Sequence, residues 1–193
     1  RIFFVKANGP AFCAGADLKE RQGMSEAQVR ERRMKGFAAY AALEALPMPA
    51  IAVVEGAVVG SGCEIASACD FIVATPAASF RVPEAIRGTV GATQRLPRIL
   101  GKRLAKDLLF TGRTLSAEEA ERHGLVARLV EPARLGAVLA EITKTISEAP
   151  AQALRLAKRC VDRGVELDPK GALETEIAAI EEQLAAGAWM GKS

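Results

Sequence analysis

Short apolar runs alternate with helical periodicities along the first two thirds of the chain. Runs bounded by turn residues predict strands at residues 2–5, 50–54, 71–74 and 125–130, the second continuing unevenly to 59. Apolar residues spaced three or four apart predict helices at residues 25–46, 63–69, 92–100, 103–110 and 116–124. The last third is helical, with helices predicted at 132–147, 150–163 and 168–186. This order predicts an α/β fold with a C-terminal helical region.

Local signals mark where several helices begin. Residues 25–28 (SEAQ) and 116–119 (SAEE) each form a capping box, and residues 168–169 (DP) fit an N-cap followed by the first helical position. Residues 12–18 are mostly small, which predicts a loop entering a helix. The chain contains no internal repeat, low-complexity tract or linker, so we expect no second independent domain.

Composition and charge narrow the class of protein. Of the 193 residues, 50% are apolar and 25% are charged, which is typical of a globular protein and excludes a disordered or collagen-like chain. The 26 basic residues barely outnumber the 23 acidic ones, so charge by itself predicts no nucleic-acid partner. No apolar run reaches the ~18 residues of a membrane span. We therefore expect no membrane segment, and the first residues lack the features of a signal peptide.

Metal and disulfide chemistry have little support in the sequence. The four cysteines contain no C-x-x-C pair and His123 is the single histidine, so no zinc-ligand cluster is predicted. The cysteine spacing does not fit a disulfide framework, which predicts reduced thiols in an intracellular protein. His123 stands just before Gly124 at a predicted helix end, where a histidine usually interacts with the helix dipole.

Two glutamates stand in surroundings that are unusual for a carboxylate. Glu64 lies in GSGCEIASACD, where its neighbours are small or apolar, and Glu84 lies in VPEAI. Burying a carboxylate costs several kcal/mol unless it is paired or protonated. Glu64 could instead face outward from a short amphipathic helix, and Glu84 could belong to a structural Pro–Glu turn. Taken together, the two carboxylates indicate a general acid/base pair.

Backbone amides are a further candidate feature of a functional site. Residues 15–17 (GAD) and 60–62 (GSG) place small residues where a strand passes into a helix. Free N–H groups at helix starts attract negative charge, and two that converge on one carbonyl oxygen would form an oxyanion hole. The spacing alone leaves that convergence open. The glycines at 60–65 and 187–193 do not reproduce a nucleotide-binding glycine motif.

Five motifs stand in a characteristic order: FCAGADLK at 12–19, GSGCE with CD at 60–70, PE at 83–84, TQRL at 93–96, and an alanine with GLV at 120–126. Their order and spacing resemble those of the crotonase superfamily, and its enoyl-CoA hydratase branch most closely. The resemblance implies a ββα spiral core at residues 1–130. It also implies a trimerisation-type helical region at 131–193, not an independent domain, and a homo-trimer or a hexamer.

The resemblance also implies an active site. Glu64 and Glu84 match the two catalytic glutamates of the hydratases, and the N–H groups of Ala16 and Ser61 match the donors that hold the thioester oxygen. Such a site adds water across the 2,3 double bond of an enoyl-CoA thioester. One glutamate activates the water, the other exchanges a proton at the α-carbon, and each backbone donor contributes about 3–4 kcal/mol.

By the same resemblance, Ala14, Asp17 and Lys19 are expected to contact coenzyme A, with Ala14 near the adenine and Lys19 near a phosphate. Coenzyme A is part of the substrate, so the resemblance implies no separate cofactor and no metal. It implies a role in fatty-acid or branched-chain acyl-CoA metabolism, in a bacterial cytoplasm or in the mitochondrial matrix of a eukaryote.

The sequence departs from the family pattern at three places. Ser61 replaces the middle glycine of the usual GGG, and its side chain would be strained at a positive φ. Residues 88–93 are a few residues shorter than their family counterpart, and a true deletion would distort the position of Glu84. The simpler hypothesis is that a mobile loop joins Val90 to Gly91 and that its residues are missing from this sequence. The chain also lacks an N-terminal stretch and the last helices of the family.

Two alternatives to a hydratase stay open. One is another crotonase-type isomerase or hydrolase acting on an acyl-CoA. The other is a non-catalytic, RNA-binding homologue, suggested by a basic helix face at Arg30, Arg32, Arg33 and Lys35 and by the basic segment 81–106. No aromatic stacking platform accompanies these charges, so the sequence favours a solvated surface near coenzyme A phosphates.

Overall fold

The computed structural model describes residues 1–17 and 19–187. The strands are β1 (Phe3–Lys6), β2 (Ala11–Cys13), β3 (Ala50–Val54), β4 (Ala57–Val59), β5 (Phe71–Ala74), β6 (Ser79–Arg81), β7 (Thr114–Ser116) and β8 (Arg128–Leu129). The helices are α1 (Glu26–Glu44), α2 (Ser61–Ser67), α3 (Arg95–Thr111), α4 (Ala117–Arg122), α5 (Pro132–Glu148), α6 (Ala151–Gly164) and α7 (Pro169–Ala185). A 3₁₀ turn covers Ala85–Arg87.

Consecutive strands enter two different sheets. One sheet has the order β1-β3-β5-β8 and the other has the order β2-β4-β6-β7. The chain therefore repeats a unit of two strands and a helix: β1-β2-α1, then β3-β4-α2, then β5-β6-α3. The pairs β2–β4, β3–β5, β4–β6 and β5–β8 are parallel, whereas β6–β7 is antiparallel. This arrangement confirms the predicted α/β fold with its ββα spiral.

Strand β3 lies at the centre of the core. All five of its residues are buried, and it pairs with β1 on one side and β5 on the other. A parallel strand that is covered on both faces takes a continuous apolar run, which is why AIAVV is readable in the sequence. The neighbouring β5 is apolar for the same reason. The buried residues of β4, α2, α3 and α4 continue the same core cluster.

The predicted starts of three helices are confirmed. The Ser25 Oγ accepts from the Gln28 N–H, while the Gln28 side chain accepts from the Ser25 N–H, which completes a capping box at α1. Ser116 caps α4, and Asp168 Oδ1 accepts from the Gly171 N–H at 2.8 Å to cap α7. Gly101, with φ of 75°, separates two helical stretches that together form α3.

The sequence missed most of the second sheet. Residues 11–13 form strand β2, whereas residues 12–18 were predicted to be a loop, and no strand was predicted at β6 or β7. Each of these strands has three residues, which is too short to display an alternating pattern. They form because a neighbouring strand supplies their hydrogen-bond partners, so they depend on the tertiary structure.

Contacts divide the chain into two compact units. Among the described residues, the larger contains 4–46 and 50–138 apart from 18, and the smaller contains 1–3, 47–49 and 139–187. The division falls inside α5, and the boundary between residues 130 and 131 stays a prediction. Within the described ranges, no helix combines the length and the apolar character needed to cross a membrane.

Candidate active site

Two loops meet at one edge of the second sheet. They follow β2 and β4, which are parallel neighbours, so both loops leave the sheet at the same end. Glycines allow them to approach closely. A Cβ on Gly15 would lie 2.9 Å from the Val59 carbonyl oxygen, and one on Gly62 would lie 2.5 Å from the Cys13 carbonyl oxygen. A side chain at either position would push the two loops apart.

This approach brings five of the predicted site residues to one cavity of about 160 Å³. Its wall includes Ala14, Ala16, Ser61, Glu64 and Glu84. Within residues 1–17 and 19–187, the N–H groups of Ala16 and Ser61 donate no backbone hydrogen bond outside regular structure. Both residues line one cavity, and the convergence of their N–H groups on a single oxygen stays a prediction.

Gly60 carries the strained backbone at the start of α2. Its φ is 54° and its ψ is −109°, and it is the N-cap residue. Ser61 is the first helical residue and does not have a positive φ. The positive φ that would strain a serine is therefore adopted by the preceding residue, Gly60. A glycine has no Cβ and adopts this conformation without strain. Serine is thus compatible with this position.

Glu64 is buried on α2 and is paired with an arginine. The residue is 8% exposed, so an outward-facing orientation is wrong. Its Oε2 accepts a hydrogen bond from Arg95 Nη1 at 2.8 Å. The same guanidinium donates twice to Glu44, at 2.6 Å in each case. These hydrogen bonds, the Glu44 pair first and then Glu64, raise the pKa of Arg95 above its ordinary value, so Arg95 stays charged.

Glu84 follows β6 and lies between two glycines. A Cβ built on Gly60 would lie 2.6 Å from Glu84 Oε1, and one built on Gly91 would lie 3.0 Å from Glu84 Cγ. The other oxygen, Oε2, is buried and has no hydrogen-bond partner among the described residues. Burial raises the pKa of Glu84, and the nearby charge of Glu64 raises it further, whereas Arg87 opposes the change. The two carboxylates therefore differ in their partners: Glu64 is paired with Arg95, whereas Glu84 Oε2 has no partner among the described residues.

The short segment 88–93 closes over Glu84. Ala92 is 2% exposed and adopts a φ of 54°, which makes it the one residue other than glycine with a positive φ in the described ranges. A left-handed alanine costs about 1–2 kcal/mol, so this segment is under strain. Glu84 nevertheless lines the cavity, although the segment is short.

Two residues expected to contact coenzyme A lie outside this cavity wall. Asp17 Oδ1 accepts from the Lys19 N–H at 2.8 Å, and both residues are exposed. This is a local Asx-type turn, which is a structural reason for an aspartate at this position. Their contact with coenzyme A stays a prediction. Ala14 does belong to the cavity wall.

Four arginines of the cavity wall were not named as site residues from the sequence, although all but Arg21 belong to the basic segments expected near coenzyme A phosphates. Arg21, Arg32, Arg33 and Arg87 all line it, so part of the basic face of α1 points at the cavity. Arg33 donates to the Thr89 hydroxyl at 2.9 Å and to the Val90 carbonyl, and Arg32 pairs with Glu20. The run of basic residues was visible, but which of them faced inward depends on where α1 packs.

The sequence also did not identify Arg95 and Tyr40 as parts of the site. Arg95 is part of the TQRL motif, and its guanidinium carbon lies 5.6 Å from the centre of the Tyr40 ring. One signal was available. A cation in the first turn of a helix is opposed by the helix dipole, so an arginine there needs a carboxylate nearby.

The chain belongs to the enoyl-CoA hydratase/isomerase family. The family model with that description matches residues 5–187. The chain is 42% identical over 177 residues to the "Putative enoyl-CoA hydratase/isomerase YngF" of Bacillus subtilis, covering 90% of this chain and 68% of that protein. It is 39% identical over 185 residues to the "Short-chain-enoyl-CoA hydratase" of Clostridium acetobutylicum, covering 94% of this chain and 70% of the relative.

Solved structures agree with this membership. The crystal structure of an enoyl-CoA hydratase from Bacillus anthracis is similar with a TM-score of 0.89 and 39% identity, covering 94% of this chain and 72% of that one. The enoyl-CoA hydratase of Mycobacterium smegmatis is similar with a TM-score of 0.91 and 32% identity, covering 95% and 73%. The fold is therefore of the crotonase type, and a crotonase-type enzymatic function follows from the family.

Proposed function

We propose that the protein is an enoyl-CoA hydratase, a hydro-lyase that adds water across the 2,3 double bond of an enoyl-CoA thioester. One observation carries the proposal. Two carboxylates, one paired with Arg95 and the other with its pKa raised by burial, line the same cavity as Ala16 and Ser61. General acid/base addition of water requires one charged and one protonated group at a single site.

The two carboxyl groups have different roles in proton transfer. Glu64 accepts the hydrogen bond from Arg95, and we assign it to accept a proton from the water whose oxygen bonds to the β-carbon. Glu84 is the carboxyl that burial favours in its protonated form, so it delivers a proton to the α-carbon. Water thus supplies a hydroxyl to one carbon, Glu84 protonates the other, and the proton on Glu64 restores Glu84 before the next turnover.

Backbone donors stabilise the intermediate charge. When the β-carbon is attacked, electron density moves to the thioester oxygen, and the N–H groups of Ala16 and Ser61 donate to it. The start of α2 adds a partial positive charge at the same place. Each donor contributes about 3–4 kcal/mol, so no metal is needed to polarise the thioester. We propose that coenzyme A is part of the substrate and that the reaction uses no other cofactor.

The arginines of the cavity support an anionic substrate. Arg21, Arg32 and Arg33 lie on the wall that also contains Ala14, and phosphate oxygens are good partners for guanidinium groups. The same orientation argues against an RNA-binding role, because Arg32 and Arg33 face the cavity. A salt-dependent gel shift with RNA would favour that alternative instead.

The decisive experiment measures turnover of a panel of enoyl-CoA thioesters, followed by loss of the conjugated absorbance. We expect hydration, with kcat reduced by about 10²–10⁴-fold in Glu64→Gln and coenzyme A binding retained. Glu118→Gln, which changes an exposed carboxylate on α4, is the matched control and should keep the parental rate. A Glu64→Gln variant as fast as the parent would refute the acid/base role.

Product analysis separates the related reactions. A 3-hydroxyacyl-CoA product supports the hydratase, a shifted double bond in 3-enoyl-CoA supports an isomerase, and release of free coenzyme A thiol supports a hydrolase. Chain length and branching follow from the rates within the panel. A fatty-acid or branched-chain acyl-CoA pathway is the corresponding biological setting, and the compartment, cytoplasm or mitochondrial matrix, is tested by cell fractionation.

We also propose a homo-trimer or a hexamer. Helix α7 exposes four large apolar residues at helical spacing, namely Leu173, Ile177, Ile180 and Leu184, which favours association through this helix. Light scattering on the purified protein measures the mass directly. Ile177→Lys should lower that mass, whereas a monomeric parent would refute the proposed assembly.

A further inference from the structure

Arg95 lies behind Glu64, outside the cavity wall. It is the first residue of α3, and its side chain is 19% exposed, whereas that of Glu64 is 10% exposed. One terminal nitrogen of the guanidinium donates to Glu64 Oε2, while the remaining donors bind both oxygens of Glu44. Glu44 is the last residue of α1, so the guanidinium joins three helices at one point.

The contact with Glu44 fixes the orientation of the guanidinium. A two-point arginine–carboxylate pair sets both the distance and the plane of the group, which a single hydrogen bond would not. Tyr40, one turn earlier on α1, places its ring beside the guanidinium, with 5.6 Å between the guanidinium carbon and the ring centre. The donor that reaches Glu64 is therefore held from two directions.

The contact with Arg95 restricts the orientation of the Glu64 carboxylate. Its Oε2 is engaged from behind by Arg95, which leaves Oε1 to meet a molecule in the cavity. A carboxylate that rotated freely would present either oxygen, in many orientations, to the attacking water. Displacement of a reacting group by about 1 Å can cost about 100-fold in rate.

We propose that Arg95, anchored by Glu44, is a positioning residue that fixes Glu64 Oε2 and aims Oε1 at the water. This proposal rests on the hydratase function proposed above. Arg95 is not part of the cavity wall, so its removal should lower kcat and leave the KM for the thioester nearly unchanged.

The test compares Arg95→Ala, Arg95→Lys and Glu44→Gln with the parent on the best enoyl-CoA of the panel. We expect kcat to fall by about 100-fold in Arg95→Ala and by less in the other two, with KM within about threefold. Added guanidinium, at concentrations that do not unfold the protein, should restore part of kcat in Arg95→Ala and none in Glu64→Gln. Arg98→Ala is the control, since Arg98 is exposed on the same helix and donates to the Gln94 carbonyl.

Two results of these assays would overturn the proposal. One is a parental kcat in Arg95→Ala. The other is a loss in all three variants that guanidinium does not relieve and that follows the loss of thermal stability, which would make Arg95 a structural residue. Arg95→Lys keeps the positive charge, so it serves if Arg95→Ala fails to fold.

A second readout separates this proposal from the hydratase function. In protein with ¹³C-labelled glutamate carboxyls, the Glu64 signal is identified by its absence in Glu64→Gln. We expect that signal to shift in Arg95→Ala and to return towards its parental position with guanidinium. If the parent hydrates no thioester, the proposed function fails, while this spectrum still decides whether Arg95 holds Glu64. An unshifted signal would refute the contact.

Discussion

Replacing Glu84 with glutamine should make the protein more stable and much less active. Burial raises the pKa of Glu84 above its ordinary value of 4.5, so the folded state holds this proton more tightly than the unfolded state does. Stability contributed by the protonated form is complete below the unfolded pKa. It is lost as the pH rises through the folded pKa. Glutamine does not titrate, so the variant avoids this loss.

The size of the effect follows from the exposure of the carboxyl. Glutamine also places a polar atom where Glu84 Oε2 is buried without a partner, so the gain comes only from removing the charge. One pKa unit corresponds to about 1.4 kcal/mol, and the carboxyl is only half-buried, so solvent screening leaves a gain of about 1 kcal/mol for Glu84→Gln. For a chain of this length, that corresponds to roughly 2–4 °C in Tm. Loss of the proton donor should lower kcat by about 10²–10⁴-fold.

The prediction is tested by thermal unfolding of the parent and of Glu84→Gln. Both are measured at one protein concentration, at neutral pH and near pH 4. The variant should have the higher Tm at neutral pH, and the difference should shrink in acid. Glu119→Gln is the opposite control. The hydrogen bond from Arg113 lowers the pKa of Glu119, so this variant should be less stable at neutral pH, with a difference that also shrinks in acid.

A lower Tm for Glu84→Gln at neutral pH would refute the reasoning. So would a gain that is equally large at both pH values, because it could not arise from titration. Full activity in a more stable variant would leave the electrostatic argument intact and remove Glu84 from the mechanism.

Three further predictions concern the site and the fold. Gly91→Ala should lower kcat about tenfold, since its Cβ would lie 3.0 Å from Glu84 Cγ, whereas Gly9→Ala, with no atom within 4 Å, should leave the hydration rate unchanged. Asp168→Ala should lower Tm by roughly 2–4 °C through loss of about 1 kcal/mol of capping, and Asp168→Asn should retain most of it; an unchanged Tm in the alanine variant would contradict the cap. Dialysis against EDTA should leave the hydration rate unchanged, and a loss that a divalent metal restores would contradict the proposed role of the backbone donors.

Local chemistry made much of the framework predictable. The continuous apolar runs of β3 and β5 are readable because strands covered on both faces tolerate only apolar residues. Helix starts at Ser25 and Asp168 are readable because the capping side chain and the amide it binds lie three residues apart. Glu64 was recognisable as a candidate because a charge among small apolar residues conflicts with burial.

Only the tertiary structure decided how these pieces form a site. The loops carrying Ala16 and Ser61 meet because β2 pairs with β4, and strands of three residues show no pattern that predicts their partner. The pairing of Glu64 with Arg95 likewise depends on where α3 packs. Caps and apolar runs are set by residues within one turn or one strand. A cavity joins residues that are distant in sequence, so their mutual positions are fixed only when the sheets and helices pack together.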